Sequence, residues 1–284
     1  MEISDAINSP VYHWPRTLVS YDVDFDGTAV RPGDLQLTEK QSGRDIPAQF
    51  TDVVARKDGT ISRARLNFFC DLQPGAKHVF ELARGKGGNI KAGEDGRVTA
   101  SIAGNVTEVS TGRMAVRIPR SGDFSPGAAV PAPVMALKHK GGWMGDNRII
   151  PGAREVLRLD VEPVSTGDLL HVYKLAYHFS GGASYIVSMR IIAGYDFIEY
   201  DEEMSGFAED DNARVEMRWG GFAPTHRHAA WSLPEAPGVF GIRAGRWLGL
   251  TEQLFTVDVE EDPKWFQPHL EEDVSREMAF RLNA

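Results

Sequence analysis

The sequence predicts an all-β protein. A small N-terminal β unit over residues 1–90 precedes a larger antiparallel β-sandwich over 91–284, closed by a short C-terminal helix. Two observations carry this. Apolar residues alternate with polar ones in run after run, the period of a strand with one buried face. Between the runs lie short segments that pair Gly with Asp or Pro, as tight turns require.

In the first unit the strands are read at 17–25 (TLVSYDVDF), 34–40, 46–54, 62–70 and 77–83. They are separated by QSGRD, KDGT and LQPGA. Several short strands this close together suggest one small barrel or sandwich. The Gly-rich stretch 84–96 has no apolar periodicity. It lacks the strand–GxxxxGK[ST]–helix context of a phosphate loop and reads as a linker.

Strands resume in RVTASIA, NVTEVSTG and RMAVRIP. Residues 120–153 then form a long irregular stretch rich in proline and glycine, and long loops often carry function. Strong strands follow at EVLRLDVEPVS, LLHVYKLAYHF, SYIVSMRIIAG and DFIEYDEEMSG. Successive side chains on a strand point to opposite faces. Leu170, Val172, Lys174, Ala176 and His178 therefore share one face, and His171, Tyr173, Leu175 and Tyr177 the other. This suits a broad sheet wet on one side. At the end, Leu270, Val274, Met278 and Leu282 recur every fourth residue. Glu271, Glu272 and Asp273 precede the last three, which predicts a helix with acidic groups in its first turn.

The 284 residues carry a net charge of −9 and no Lys/Arg-rich block. Nucleic-acid binding needs a concentrated basic surface, so it is not expected. No run reaches the ~20 apolar residues of a membrane span. The N-terminus lacks the basic and apolar pattern of a secretory signal. As written the chain is expected in the cytoplasm, or outside the cell if it is a fragment of a secreted protein. The single cysteine, Cys70, lies in the apolar run LNFFCDL and reads as a small buried hydrophobe.

The stretch from Trp14 to Leu82 resembles the start of the exo-rhamnogalacturonan lyase family. The likeness rests on the turn Ser42-Gly43, on Ile46-Pro47-Ala48-Gln49-Phe50, on Asp58-Gly59, and on Asp71-Leu72 leading to Pro74-Gly75. VTEVSTGRMAVRIP and SYIVSMRIIAGYDFIEYDEEMSG are similar to parts of that family's sandwich. The resemblance implies a RIFT-type β-barrel followed by a β-sandwich. In the family an α/α toroid comes next, and it has no counterpart in these residues. No catalytic motif of the family is matched. The implied role is a scaffold and substrate-contacting part of a polysaccharide lyase, acting beside a downstream helical domain on acidic, pectin-type polysaccharide. No cofactor is expected.

Three groups of residues are candidates for chemistry. GFAPTHRHAAW (221–231) places His226, Arg227 and His228 side by side. Two histidines at i and i+2 can hold Zn²⁺ only with a third ligand, and no such spacing is present. For β-elimination, His226 or His228 can act as base and Arg227 as carboxylate clamp. On a regular strand Arg227 faces away from both, so this reading needs a bulge. The acidic run 199–214 supplies Glu199, Asp201, Glu202, Glu203, Glu209, Asp210 and Asp211, which a glycosidase can use only if two lie across one bond. The aromatics are the better sugar signal, since a ring offers a flat apolar face. Trp143 lies among Lys138, His139, Lys140 and Arg148, and Trp231 follows the histidines. Trp143, Trp231, Arg148 and Lys140 are the expected substrate contacts, with cations suited to an acidic sugar. The competing reading is an intact sandwich enzyme of the aldose-epimerase type.

Overall fold

The computed structural model describes residues 1–5, 13–25, 27–85, 96–139 and 142–218. Beyond these it gives the backbone of the strands within 226–231, 241–242, 246–247, 253–258 and 277–281. The described residues are mostly strand, and every sheet pairing is antiparallel. No described helix is long and apolar enough to cross a membrane.

The first unit contains β1 (Glu2–Ser4), β2 (Trp14–Asp24), β3 (Leu35–Glu39), β4 (Asp45–Ile46), β5 (Ala48–Ala55), β6 (Ile61–Leu72) and β7 (Lys77–Arg84). They form a four-stranded sheet, β1-β7-β3-β4, and a three-stranded sheet, β2-β6-β5. Leu66, Phe68, Cys70 and Leu72 recur at every second position of β6, so one face of that strand is continuous apolar surface. It packs against Leu37 and Phe80 of the other sheet, with the Phe68 and Phe80 rings 4.8 Å apart. Burying such side chains contributes roughly 1.5–3 kcal/mol each. The strands expected over 17–83 are found with shifted ends, except that the one at 46–54 breaks at Pro47 into β4 and β5, which lie in different sheets.

The second unit opens with β8 (Thr99–Ala103), β9 (Val106–Ser110) and β10 (Met114–Pro119). Residues 120–153 are not one irregular loop. They contain β11 (Gly122–Asp123), β12 (Val130–Pro131), β13 (Ala136–His139), β14 (Gly142–Met144) and β15 (Arg148–Ile150). Proline and glycine cut these strands too short to show a period in the sequence. Long strands follow: β16 (Val156–Thr166), β17 (Leu170–Phe179), β18 (Ser184–Ile192), β19 (Ile198–Ser205) and β20 (Arg214–Arg218).

Three sheets result, β14-β13-β10-β9-β8, β11-β16-β17-β18-β19 and β12-β15-β20. One core joins them. Leu175, Tyr177, Val187 and Met189 from the second sheet meet Val109, Val116 and Ile118 from the first and Ile149 and Val215 from the third. Tyr177 is fully buried, and its hydroxyl donates to the Pro131 carbonyl at 2.9 Å. The two faces of β17 divide as expected over most of its length, with Tyr173, Leu175 and Tyr177 inside and Lys174 and His178 in solvent, while Leu170 at its start is buried in a separate cluster with Leu169 and Ile192.

Beyond residue 218 the backbone shows β21 (His226–Trp231), β22 (Gly241–Ile242), β23 (Arg246–Trp247), β24 (Gln253–Asp258) and β25 (Glu277–Arg281). The last corrects part of the expected C-terminal helix. Residues 277–281 are a strand, paired to β20 with Met278 opposite Met217 and Phe280 opposite Val215. Met278, Phe280 and Leu282 also recur at every second position, and pairing with an open sheet edge selects that period over the helical one. Residues 268–276 lie outside the described residues, as does the Gly-rich segment 86–95.

Polar side chains tie the two units together, Gln49 buried and Tyr195 half-buried. Gln49 of β5 accepts from the Leu169 and Leu170 N–H groups at 3.0 Å each. It also donates to the Leu170 carbonyl at 2.8 Å. The Tyr195 hydroxyl accepts from the Leu18 N–H at 2.8 Å, while its carbonyl accepts from the Thr111 hydroxyl at 2.6 Å.

Candidate functional site

The outer face of the β14-β13-β10-β9-β8 sheet carries a groove of about 360 Å³, lined in part by Thr99, Ser110, Arg113, Lys138 and Trp143. Sheet register explains this assembly. Thr99 lies opposite Ser110, Ser110 opposite Ala115, Ala115 opposite Lys138, and Lys138 opposite Trp143. One row thus crosses all five strands. Four inter-strand steps of ~4.8 Å make it roughly 19 Å long, an extended site. A second row runs Ser101, Glu108, Arg117, Ala136. Between them on β9 and β10, Val109 and Val116 point into the core.

Trp143 is held in place by its neighbours. The Arg117 guanidinium carbon lies 4.0 Å from the centre of its ring, a cation–π contact. Arg117 is itself fixed by two hydrogen bonds to Glu108 Oε1, at 2.9 and 2.8 Å. Glu108 Oε2 takes neither bond. The groove therefore offers an indole fixed on one side, hydroxyls from Thr99, Ser101 and Ser110, and cationic groups from Lys138 and Arg113. Hydroxyls bond to sugar hydroxyls, the ring covers apolar C–H surface, and Lys or Arg makes charge-assisted bonds to a carboxylate.

Among the expected contacts, Trp143 lines this groove and Arg148 is placed elsewhere. Gly145, at φ 114, and the buried Asn147 turn the chain between the two residues. Asn147 donates to the Val134 carbonyl at 2.8 Å and accepts the Arg218 N–H at 2.7 Å. Arg148 so falls in a different sheet, where it pairs with Glu216 at 3.2 Å. Lys140 lies outside the described residues. His226, Arg227, His228 and Trp231 belong to β21, which pairs with β24 in one unbroken register. Their side chains lie outside the described residues.

Three of the seven acids of the acidic run are committed to structure. Glu199 pairs with Arg190 at 2.9 Å, and Glu202 accepts from the Tyr185 hydroxyl. Asp211 accepts from Arg154 at 2.6 Å and from the Ala208 N–H at 2.7 Å. That backbone bond first, then Arg154, hold its carboxyl below the usual carboxylate range. Among the described residues no three His, Cys, Asp or Glu side chains gather as a metal site.

Glu108, Ser110, Arg113 and Arg117 were missed as site residues in the sequence. The available signal was the Gly104-Asn105 hairpin, which sets which β8 and β9 residues share a face. Compared with protein-family models and with curated proteins, the chain matches none.

Proposed function

We propose that this chain is the N-terminal β portion of a carbohydrate-active protein that binds acidic, pectin-type polysaccharide. It serves as scaffold and substrate-contacting module beside a helical catalytic domain of the exo-rhamnogalacturonan lyase kind. In this reading the first unit is a RIFT-type barrel. The observation that carries the proposal is the fixed Trp143 set in a row of hydroxyls with Lys138 and Arg113. In support, Glu108, the carboxylate among the groove's described lining residues, is paired to Arg117, while Lys138 and Arg113 add positive charge suited to an acidic ligand.

Titration calorimetry with galacturonan and rhamnogalacturonan oligosaccharides tests this. Binding is expected, weakened by salt because the cations are exposed, and at least about tenfold weaker in Trp143→Ala, a loss of ~1.4 kcal/mol. Absence of heat with every acidic oligosaccharide would overturn the proposal.

A further inference from the structure

Strand β8, Thr-Ala-Ser-Ile-Ala, is the outer edge of the groove-bearing sheet, and all five of its residues are exposed. Among the described residues it pairs with β9 alone, in a register without a shift from Thr99 opposite Ser110 to Ala103 opposite Val106. Ile102 is 67% exposed, the highest value among the described large hydrophobics.

An open edge invites pairing with another strand, and proteins guard such edges with charge, proline or bulges. The other long edges of the sheets before residue 219 are guarded. β19 carries Glu199, Asp201, Glu202 and Glu203. β2 contains Pro15, Asp22 and Asp24 and a register shift, and β5 breaks its register twice. β8 has no charge, no proline and no break.

The direction of its free backbone groups follows from the hairpin. Gly104, at φ 61, and Asn105 form a two-residue turn, so Ala103 and Val106 close it as a hydrogen-bonded pair. Such pairs alternate along an antiparallel ladder. Thr99, Ser101 and Ala103 therefore direct their N–H and C=O groups to β9. Ala100 and Ile102 direct theirs outward.

We propose that a second copy of this chain pairs with β8, antiparallel, about a two-fold axis through Ser101. In that register Ala100 meets the partner copy's Ile102 and Ile102 meets its Ala100, so the four outward N–H groups and four outward C=O groups of the two copies are all used. The two apolar side chains also meet on one face, and Ser101 faces its own copy in a non-hydrogen-bonded position. Arg97 falls opposite Asn105, so no like charges oppose each other. The junction is short, which makes the dimer weak and concentration-dependent. It joins two five-stranded sheets into one continuous sheet and places the two grooves on the same face. The inference does not depend on what the groove binds.

Sedimentation velocity over a concentration series tests it, with two kinds of variant. Ile102→Pro removes only an outward N–H, which β9 does not use. By symmetry it deletes two intermolecular hydrogen bonds, so the dimer dissociation constant should rise tenfold or more, about 1.4 kcal/mol or above. Circular dichroism checks that the fold is kept, and Ile102→Lys provides an independent variant that opposes pairing through charge. Ser101→Cys should form an intermolecular disulfide under mild oxidation, whereas Thr99→Cys, which faces Ala103 of the other copy, should not. A wild-type chain that stays monomeric throughout overturns the inference. So does a dimer unaffected by both Ile102 variants, or cross-linking equal at positions 99 and 101.

Discussion

Gln49 and Leu170, 121 positions apart, hold each other by two hydrogen bonds, amide N–H to carbonyl at 2.8 Å and backbone N–H to amide oxygen at 3.0 Å. Both groups are buried, and a Cβ at Gly167 would come within 2.5 Å of the Gln49 side chain. Gln49→Leu would strand the Leu169 and Leu170 N–H groups and the Leu170 carbonyl without water. A stability loss of about 2–5 kcal/mol is expected in urea denaturation. A loss below about 1 kcal/mol would show that the contact between units is incidental.

Glu39 should make the fold acid-sensitive. Ser42 donates to one of its oxygens and His78 bonds the other; the Ser42 bond first, then His78, hold the carboxyl below its ordinary range. A depressed carboxylate stabilises the fold above its unfolded pKa of ~4.3 and loses that contribution as pH falls through the lower folded value. Glu39→Gln is therefore expected to be less stable at pH 7, with a smaller further loss below ~4.3. Thermal melts at a series of pH values read both effects, and parallel wild-type and variant curves would contradict the assignment.

The Cys70 thiol is pushed up to about 11, mainly by burial and then by Asp71. The reactive species is the thiolate, so alkylation at pH 8 should be slow in the native protein and fast in urea. Equal rates in the two conditions would place the thiol in solvent.

Gly152 has φ 65, and a Cβ there would lie 1.9 Å from the Asp211 carbonyl oxygen, a backbone atom that cannot turn aside. Gly152→Ala is expected to cost about 2 kcal/mol or more, visible as a lowered melting temperature. Gly127→Ala, with φ 75 and open space around it, should cost less. A reversed order would exclude steric contact as the cause.

The strands were legible because alternation is local. Leu66, Phe68, Cys70 and Leu72 declare a buried face within β6 alone. Which strands become neighbours is set by pairing across the chain, so the partners of Trp143 could not be read. Arg117 and Glu108 meet across the local β9–β10 hairpin, but Trp143 reaches them only through the more distant pairing of β10 with β13. Arg148, close to Trp143 in sequence, was misread as its companion because Gly145 and Asn147 divert the backbone to another sheet. The end of the chain misled differently. Apolar residues at 274, 278 and 282 satisfy a helix, while 278, 280 and 282 satisfy a strand, and the sheet edge at β20 decides for 277–281.

The cross-links at Gln49 and Tyr195 have a mechanical meaning. They engage the backbone at Leu18, Leu169 and Leu170 and so brace the junction at separate points, where a single contact would act as a pivot. A force applied to the second unit would therefore pass to the first through shear of several hydrogen bonds at once, without turning the units about one point.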